Sequence, residues 1–342
     1  MRKVFLLTLV LLLSLSVQSF SEGVKVVDDD GKTLFTVDVN IRDKQGRTLL
    51  MLAAGTSKNP EQVKYLLDTG AEVNAKDPNG GTAIFFAAFN NTNPEIIKLL
   101  ISASADLSVR LPNGATPLIA AAMSNPNPEV ITALVKGGAD INAEDNKGRS
   151  PLIASAMFNP NHDVMRTVIA SGADVNGRNK NNLTPLMILS SNKASPDALR
   201  ILIDASPDIN AKDKHDWTAL TFAVTGEKIS RENVRLLLEA GADPNVPDDD
   251  DATPLMWLFM HKPDAETAKL LISHGADVNA MTDALWTALT FAIMNDASSE
   301  AVKVLIDAGA DTEIRDKFGK TIRDYAKESK NPEIRKIFLG TK

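Results

Sequence analysis

Apolar and polar positions along this chain fall into blocks that recur. A Thr (once a Ser) opens a short apolar run, a second apolar stripe at helical spacing follows, and a Gly- and Asn-rich turn closes the block. The opening residues are Thr48, Thr82, Thr116, Ser150, Thr184, Thr218, Thr253, Thr287 and Thr321. They stand 34 residues apart at every step except the 35 from Thr218 to Thr253. In the third block Thr116 is placed to cap a helix, and Pro117 takes the first helical position, where a missing N–H costs nothing. Ala120, Ala121 and Ala122 allow neighbouring helices to approach closely. Asn125-Pro126-Asn127-Pro128-Glu129 stops and restarts the chain, and Val130, Ile131, Leu134 and Val135 form the stripe of a second helix. Gly114 suits a tight turn and Gly138 a left-handed helix end. A period in this range means that each unit buries its apolar face only by stacking on its neighbours.

The unit resembles an ankyrin repeat: a turn, two antiparallel helices and a finger-like loop. Thr-Pro-Leu stands at Thr116-Pro117-Leu118, Thr184-Pro185-Leu186 and Thr253-Pro254-Leu255, with Ser150-Pro151-Leu152 close behind. The family's ending appears as Gly172-Ala173-Asp174-Val175-Asn176 and Gly275-Ala276-Asp277-Val278-Asn279. The resemblance covers about residues 38 to 339 and implies an all-α solenoid of about nine helix-turn-helix repeats with finger loops. Two departures stand out. The family's usual period is about 33, and the extra residue here falls between the two helices, in the Asn-Pro-Glu segment. The family's His after Thr-Pro-Leu is missing everywhere, its place taken by Met51, Phe85, Ile119, Ile153, Met187, Thr221, Met256, Thr290 and Asp324, so apolar packing is expected to replace its hydrogen bonds.

The ends read differently. Met1-Arg2-Lys3 followed by the apolar run Val4 to Leu13, with Ser19 and Ser21 before Glu22, predicts a signal peptide over residues 1–21. An uncleaved anchor is the competing reading, although the apolar run gives way to Ser14, Ser16 and Gln18 before reaching the roughly 20 residues a span needs. Residues 22–37 read as an N-terminal β-hairpin or cap segment around Asp28-Asp29-Asp30-Gly31-Lys32, or as a disordered leader remnant, and residues 38–342 as the repeat domain. The last unit carries charge where inner units are apolar, as a terminal cap should.

Composition narrows the chemistry. There is no cysteine, hence no disulfide, no thiol nucleophile and no lipid attachment to a leader Cys; an exported protein of this kind fits the periplasm, with secretion open. The net charge of −7, or −9 once Arg2 and Lys3 leave with the leader, argues against nucleic acid. After leader cleavage no stable membrane insertion is expected, and the chain reads as a monomer. No phosphate-binding glycine loop, no Gly-x-Ser-x-Gly elbow and no His with an in-sequence nucleophile partner is visible, so neither an enzyme nor a cofactor is expected.

Candidate contacts come from recurrent positions. The residue before each opening Thr is normally exposed in ankyrin fingers, and two of the three tryptophans, Trp217 and Trp286, occupy it. They are expected to make few contacts within the chain and to serve as apolar anchors for a partner, with partial packing against the adjacent finger as the competing reading. The position seven after each Thr holds Phe89, Met123, Met157, Met260 and Met294 among others, either a binding surface or core beneath the lengthened loop. Trp257 reads as an inward core position. His215, Met260, His261 and Met294 would add area, and Asp249 and Asp250 would favour a partner with a basic patch. The resemblance thus implies an exported scaffold binding another protein through its concave face. The alternative is a small-ligand or metal-dependent sensor built on the acidic finger Asp248-Asp249-Asp250-Asp251, which lacks the oxygen spacing of a dedicated calcium loop.

Overall fold

The computed structural model describes residues 24–27, 33–191, 195–226 and 228–340; the expected leader lies outside them. Eighteen α-helices occur among the described residues, two for each of the nine repeats. They fall into two compact units, divided between Asp174 and Val175.

In the first unit the leading helices are α1 (Leu49–Thr56), α3 (Ala83–Asn90), α5 (Pro117–Ser124) and α7 (Pro151–Phe158). Their partners are α2 (Pro60–Asp68), α4 (Pro94–Ser102), α6 (Pro128–Lys136) and α8 (His162–Ala170). Strands β1 (Val24–Val27) and β2 (Thr33–Val37) pair antiparallel ahead of them, with Val24 opposite Val37 and a register shift after Val26. The second unit has leading helices α9 (Pro185–Ser190), α11 (Ala219–Thr225), α13 (Pro254–His261), α15 (Ala288–Met294) and α17 (Ile322–Glu328). The following helices are α10 (Pro196–Asp204), α12 (Arg231–Glu239), α14 (Ala265–Ser273), α16 (Ser299–Asp307) and α18 (Pro332–Leu339). Within each unit, leading helices pack on leading helices and following helices on following helices.

The helices begin where the chemistry of capping dictates. The Thr116 hydroxyl accepts the Ile119 N–H at 3.2 Å, with Pro117 at the first position as its fixed φ allows. Following helices start on an Asn, a Ser or, at Asp264, an Asp: the Asn127 side chain accepts the Glu129 N–H at 3.0 Å, and Glu129 lies in the first turn, where the helix dipole favours a carboxylate. Leu118, Ile119, Ala121, Val130, Ile131 and Leu134 are then fully buried, each large apolar side chain contributing about 1.5–3 kcal/mol.

The missing His is replaced by more than apolar packing. Thr221 and Thr290 accept the backbone N–H of Thr218 and Thr287 at 3.4 and 3.2 Å, and Asp324 accepts that of Thr321 at 3.0 Å. Met51 and Met187 offer their sulfur to the same N–H at 3.4 Å. At these five positions an acceptor three residues into the helix reaches back to the cap, so the expectation of purely apolar replacement holds only at Phe85, Ile119, Ile153 and Met256.

The extra residue between the helices has a structural use. Asn125 is fully buried; its amide donates to the carbonyls of Ala88 and Asn91, both at 2.9 Å, and its oxygen accepts the Asn127 N–H at 3.0 Å. Asn91 and Asn159 repeat this arrangement one unit earlier and later. The lengthened loops of the first unit are thereby stitched together by a ladder of buried amides.

Candidate functional site

Six of the nine fingers are organised by an Asp five before the opening Thr or Ser. Asp43, Asp77, Asp145, Asp213, Asp248 and Asp316 each use one carboxylate oxygen to accept two backbone N–H groups of the finger turn, as in Asp213 with His215 (2.8 Å) and Trp217 (2.9 Å). The second oxygen remains to be paired. In the first unit an Arg just before the Thr does so: Arg47 Nε donates to Asp43 at 2.9 Å and Arg149 Nε to Asp145 at 2.7 Å.

In the second unit aromatic side chains take over. Trp257 Nε1 donates to Asp248 at 2.7 Å. Trp286 Nε1 donates to Asp316 at 3.1 Å and to the Tyr325 hydroxyl at 3.2 Å, while that hydroxyl itself donates to Asp316. Burial acts to raise the Asp316 carboxyl, but the Tyr325 and Trp286 donors with the N–H groups of Lys320 and Phe318 outweigh it and hold it below the ordinary carboxylate range. Burial first, then the Asp316 carboxylate, pushes the Tyr325 phenol up to about 12.

These anchors create two aromatic groups. In the first, Trp217 meets Phe222 of its own repeat edge-on at 5.3 Å and Trp257 of the next at 4.6 Å, and Trp257 stacks on His261 at 5.2 Å and 14°. His215 lies on the neighbouring tip, its Nδ1 3.3 Å from Asp249. In the second, Trp286 meets Phe291 at 5.7 Å and Phe318 at 6.2 Å. Met294 and Phe318 face a cleft of about 610 Å³ beside Tyr325.

The sequence-based site is therefore split. Trp217, Trp257, His261, His215 and Asp249 come together through fingers six and seven, whereas Trp286 and Met294 belong to the second group. Met260 is half-buried, and Met294 is 44 % exposed, as is Phe89 at 42 %, so the lengthened loop does not make this recurrent position core. Three expectations need correction. Trp217 and Trp286 are half-buried and carry specific ring contacts and, for Trp286, hydrogen bonds, so they do not make few contacts within the chain. Trp257 is half-buried too, because it lies about 200° round the helix from the buried Leu255. The acidic finger is not a cage: Asp248 is buried and occupied by internal donors, Asp249 is exposed but pairs with His215, and Asp250 and Asp251 stand exposed beside it. Among the described residues no three His, Asp or Glu side chains are placed to share a metal ion.

Sequence reasoning missed Phe222, Phe318, Tyr325 and Asp316. The usable signal was the position four after each Thr, which holds Phe222, Trp257, Phe291 and Tyr325 in the last four repeats.

The crystal structure of the ankyrin repeat domain of Bcl-3, a member of the IkappaB protein family, superposes with a TM-score of 0.57 at 23 % identity, covering 67 % of this chain and 100 % of that one. That likeness is one of fold. No curated protein matches the chain in sequence. The family model for ankyrin repeats, three copies at a time, matches residues 26–110, 85–179, 156–248, 230–316 and 255–341. Those matches run through both compact units and span all nine Thr-led repeats, and on that ground the chain belongs to the ankyrin-repeat family.

Proposed function

We propose that this chain is a scaffold that recognises another protein through the leading helices and fingers of repeats six to eight, and that it performs no chemistry of its own. The observation that carries the reading is the contiguous, half-exposed ring surface of Trp217, Phe222, Trp257 and His261. Aromatic side chains held rigid at a surface are the commonest energetic anchors of protein interfaces, since they bury large area at little entropic cost. Met260 adds adaptable apolar area. Asp249, Asp250 and Asp251 at the adjoining tip favour a partner with a basic patch, because like charge there would be repelled. Export to the periplasm or beyond, as a monomer freed of residues 1–21, completes the proposal.

The test is capture from the envelope fraction of the exporting cell by the wild-type chain, set against His261→Ala and Asp249→Lys. Both positions are exposed, so stability should change by no more than about 0.5 kcal/mol. A protein held by wild type should be lost at least about tenfold from each variant, and the native chain should begin near Glu22. Capture unchanged by both substitutions overturns the proposed surface, and an intact Met1 overturns the leader.

A further inference from the structure

Three of the chain's own finger cations show how it holds positive charge. The residue before the opening Thr or Ser is Arg47 in repeat one, Arg149 in repeat four and Lys320 in repeat nine. Each is paired with a carboxylate of its own repeat: Arg47 with Asp43, Arg149 with Asp145 and Lys320 with Glu328. Two of them also lie over a ring of their leading helix. The Arg149 guanidinium sits 5.3 Å from the centre of Phe158, and the Lys320 ammonium 5.0 Å from that of Tyr325. A cation is thus held between an acid and an aromatic face, where charge pairing and the ring's negative face act together.

Repeats six to eight keep the acids and the rings and lack the cation. The same position there holds Trp217, Ala252 and Trp286. Fingers 208–217, 243–252 and 277–286 carry ten carboxylates against two lysines, in a protein whose net charge is −7. Their leading helices α11, α13 and α15 contain no charged side chain besides His261. Some of the acids are already used. Asp213 and Asp248 are buried anchors, Asp216 pairs with Lys212 at 3.1 Å and Asp249 with His215. Asp208, Asp243 and Asp277 accept the backbone N–H two residues on. Asp250, Asp251 and Asp283 are exposed, and among the described residues no cation pairs with them; Lys214 is the exposed lysine of these tips. Nor does any cation of the described residues lie over Trp217, Phe222 or Trp257, which are half-exposed.

We propose, resting on the protein-binding reading above, that this surface takes an arginine side chain of the partner, its guanidinium laid on the rings of Trp217 and Trp257 and its edge paired with Asp250 and Asp251. A basic patch alone would satisfy the charge; the rings ask for more. A guanidinium is planar and weakly hydrated, so it can stack on an indole while its in-plane donors reach a carboxylate. A lysine ammonium is a strongly hydrated point charge that gains less from the rings. A purely apolar segment would strip water from Asp250 and Asp251 and return no partner for their charge. An anionic segment would be repelled by the finger carboxylates. The partner supplies here what Arg149 supplies within repeat four.

Labelled, end-blocked Gly/Ser peptides carrying two arginines, two lysines or two glutamates, titrated with the chain as isolated and followed by fluorescence anisotropy, test this. The arginine peptide should bind about threefold or more tighter than the lysine peptide, and the glutamate peptide should not bind. Asp250→Asn combined with Asp251→Asn should weaken the arginine peptide about fivefold or more. The melting temperature should hold, since both positions are exposed and Asn tolerates the left-handed φ of 61° at 251. Trp217→Leu should leave charge-driven binding but erase the preference for arginine over lysine. Equal binding of the two cationic peptides, no binding of the arginine peptide, a preference that survives Trp217→Leu, or an affinity indifferent to the paired Asn substitutions each overturns the proposal. A protein captured by wild type and lost from His261→Ala and Asp249→Lys, with no preference for the arginine peptide, leaves the docking surface standing and the guanidinium wrong. A preferred arginine peptide with no such capture sinks the scaffold reading and leaves the guanidinium contact.

Discussion

At the residue scale, the three tryptophans show what a recurrent position reveals and what it hides. Counting from each Thr places Trp217 and Trp286 at fingers, and they do remain half-exposed. Their partners are invisible to that count, because Trp286 finds Asp316 and Tyr325 at separations of 30 and 39 residues, a contact only stacking creates. Trp257 looked like core because it follows Leu255 and Met256 in an apolar run; helical rotation sends it outward, and Asp248 holds its indole there. Their truncations should rank accordingly. Trp286→Ala strips a half-buried ring and leaves Asp316 short of a donor, and it should cost about 2–3 kcal/mol. Trp257→Ala should cost about as much for the same reasons. Trp217→Ala loses ring contacts alone, since none of its side-chain atoms is hydrogen-bonded to Asp213, and should cost about 1 kcal/mol. Urea unfolding of the three variants gives the order; a Trp217→Ala cost equal to the other two would show that ring packing, not the indole–carboxylate bond, dominates.

At the element scale, helix starts were legible and the loop between helices was not. Thr or Ser before an apolar run, Pro at the first position and an acidic first turn are local signals with local causes. Asn-Pro-Glu announced a second helix, but the role of the Asn two residues earlier depends on the repeat next door. Asn125 and Asn127 are the same residue type two positions apart, and stacking separates their fates. Asn125→Ala would strand two buried carbonyls and the Asn127 N–H, an expected loss of about 2–4 kcal/mol. Asn127→Ala removes a solvent-side helix cap and one bond to the Thr92 carbonyl, an expected loss of about 1 kcal/mol. Equal urea midpoints for the two variants would sink the claim that the buried ladder, and not capping, carries the lengthened loop.

For the whole molecule, the fixed period made the repeat number and the all-helical fold readable from one end to the other, while nothing in the spacing marks the division at Asp174. Stacking of identical units also sets what trimming should do. In the second unit α15 packs on α17, so the face it presents to repeat nine is apolar by design of the stack. Repeat nine supplies Tyr325 and Asp316 to Trp286 and buries Ile322 and Ala326 against its neighbours. A chain ending at Thr312 would leave the Trp286 indole without either partner and put the α15 face into water, with no charged cap to cover it. Loss of one interface typically moves a repeat array by several kcal/mol, which for an array this size should lower the melting temperature by roughly 5 °C or more, with light scattering rising at the same time. Retained melting temperature and solubility in the shortened chain would mean that repeat nine couples weakly to repeat eight, and that its aromatic face is kept for contact with something outside the chain and not for closing the stack.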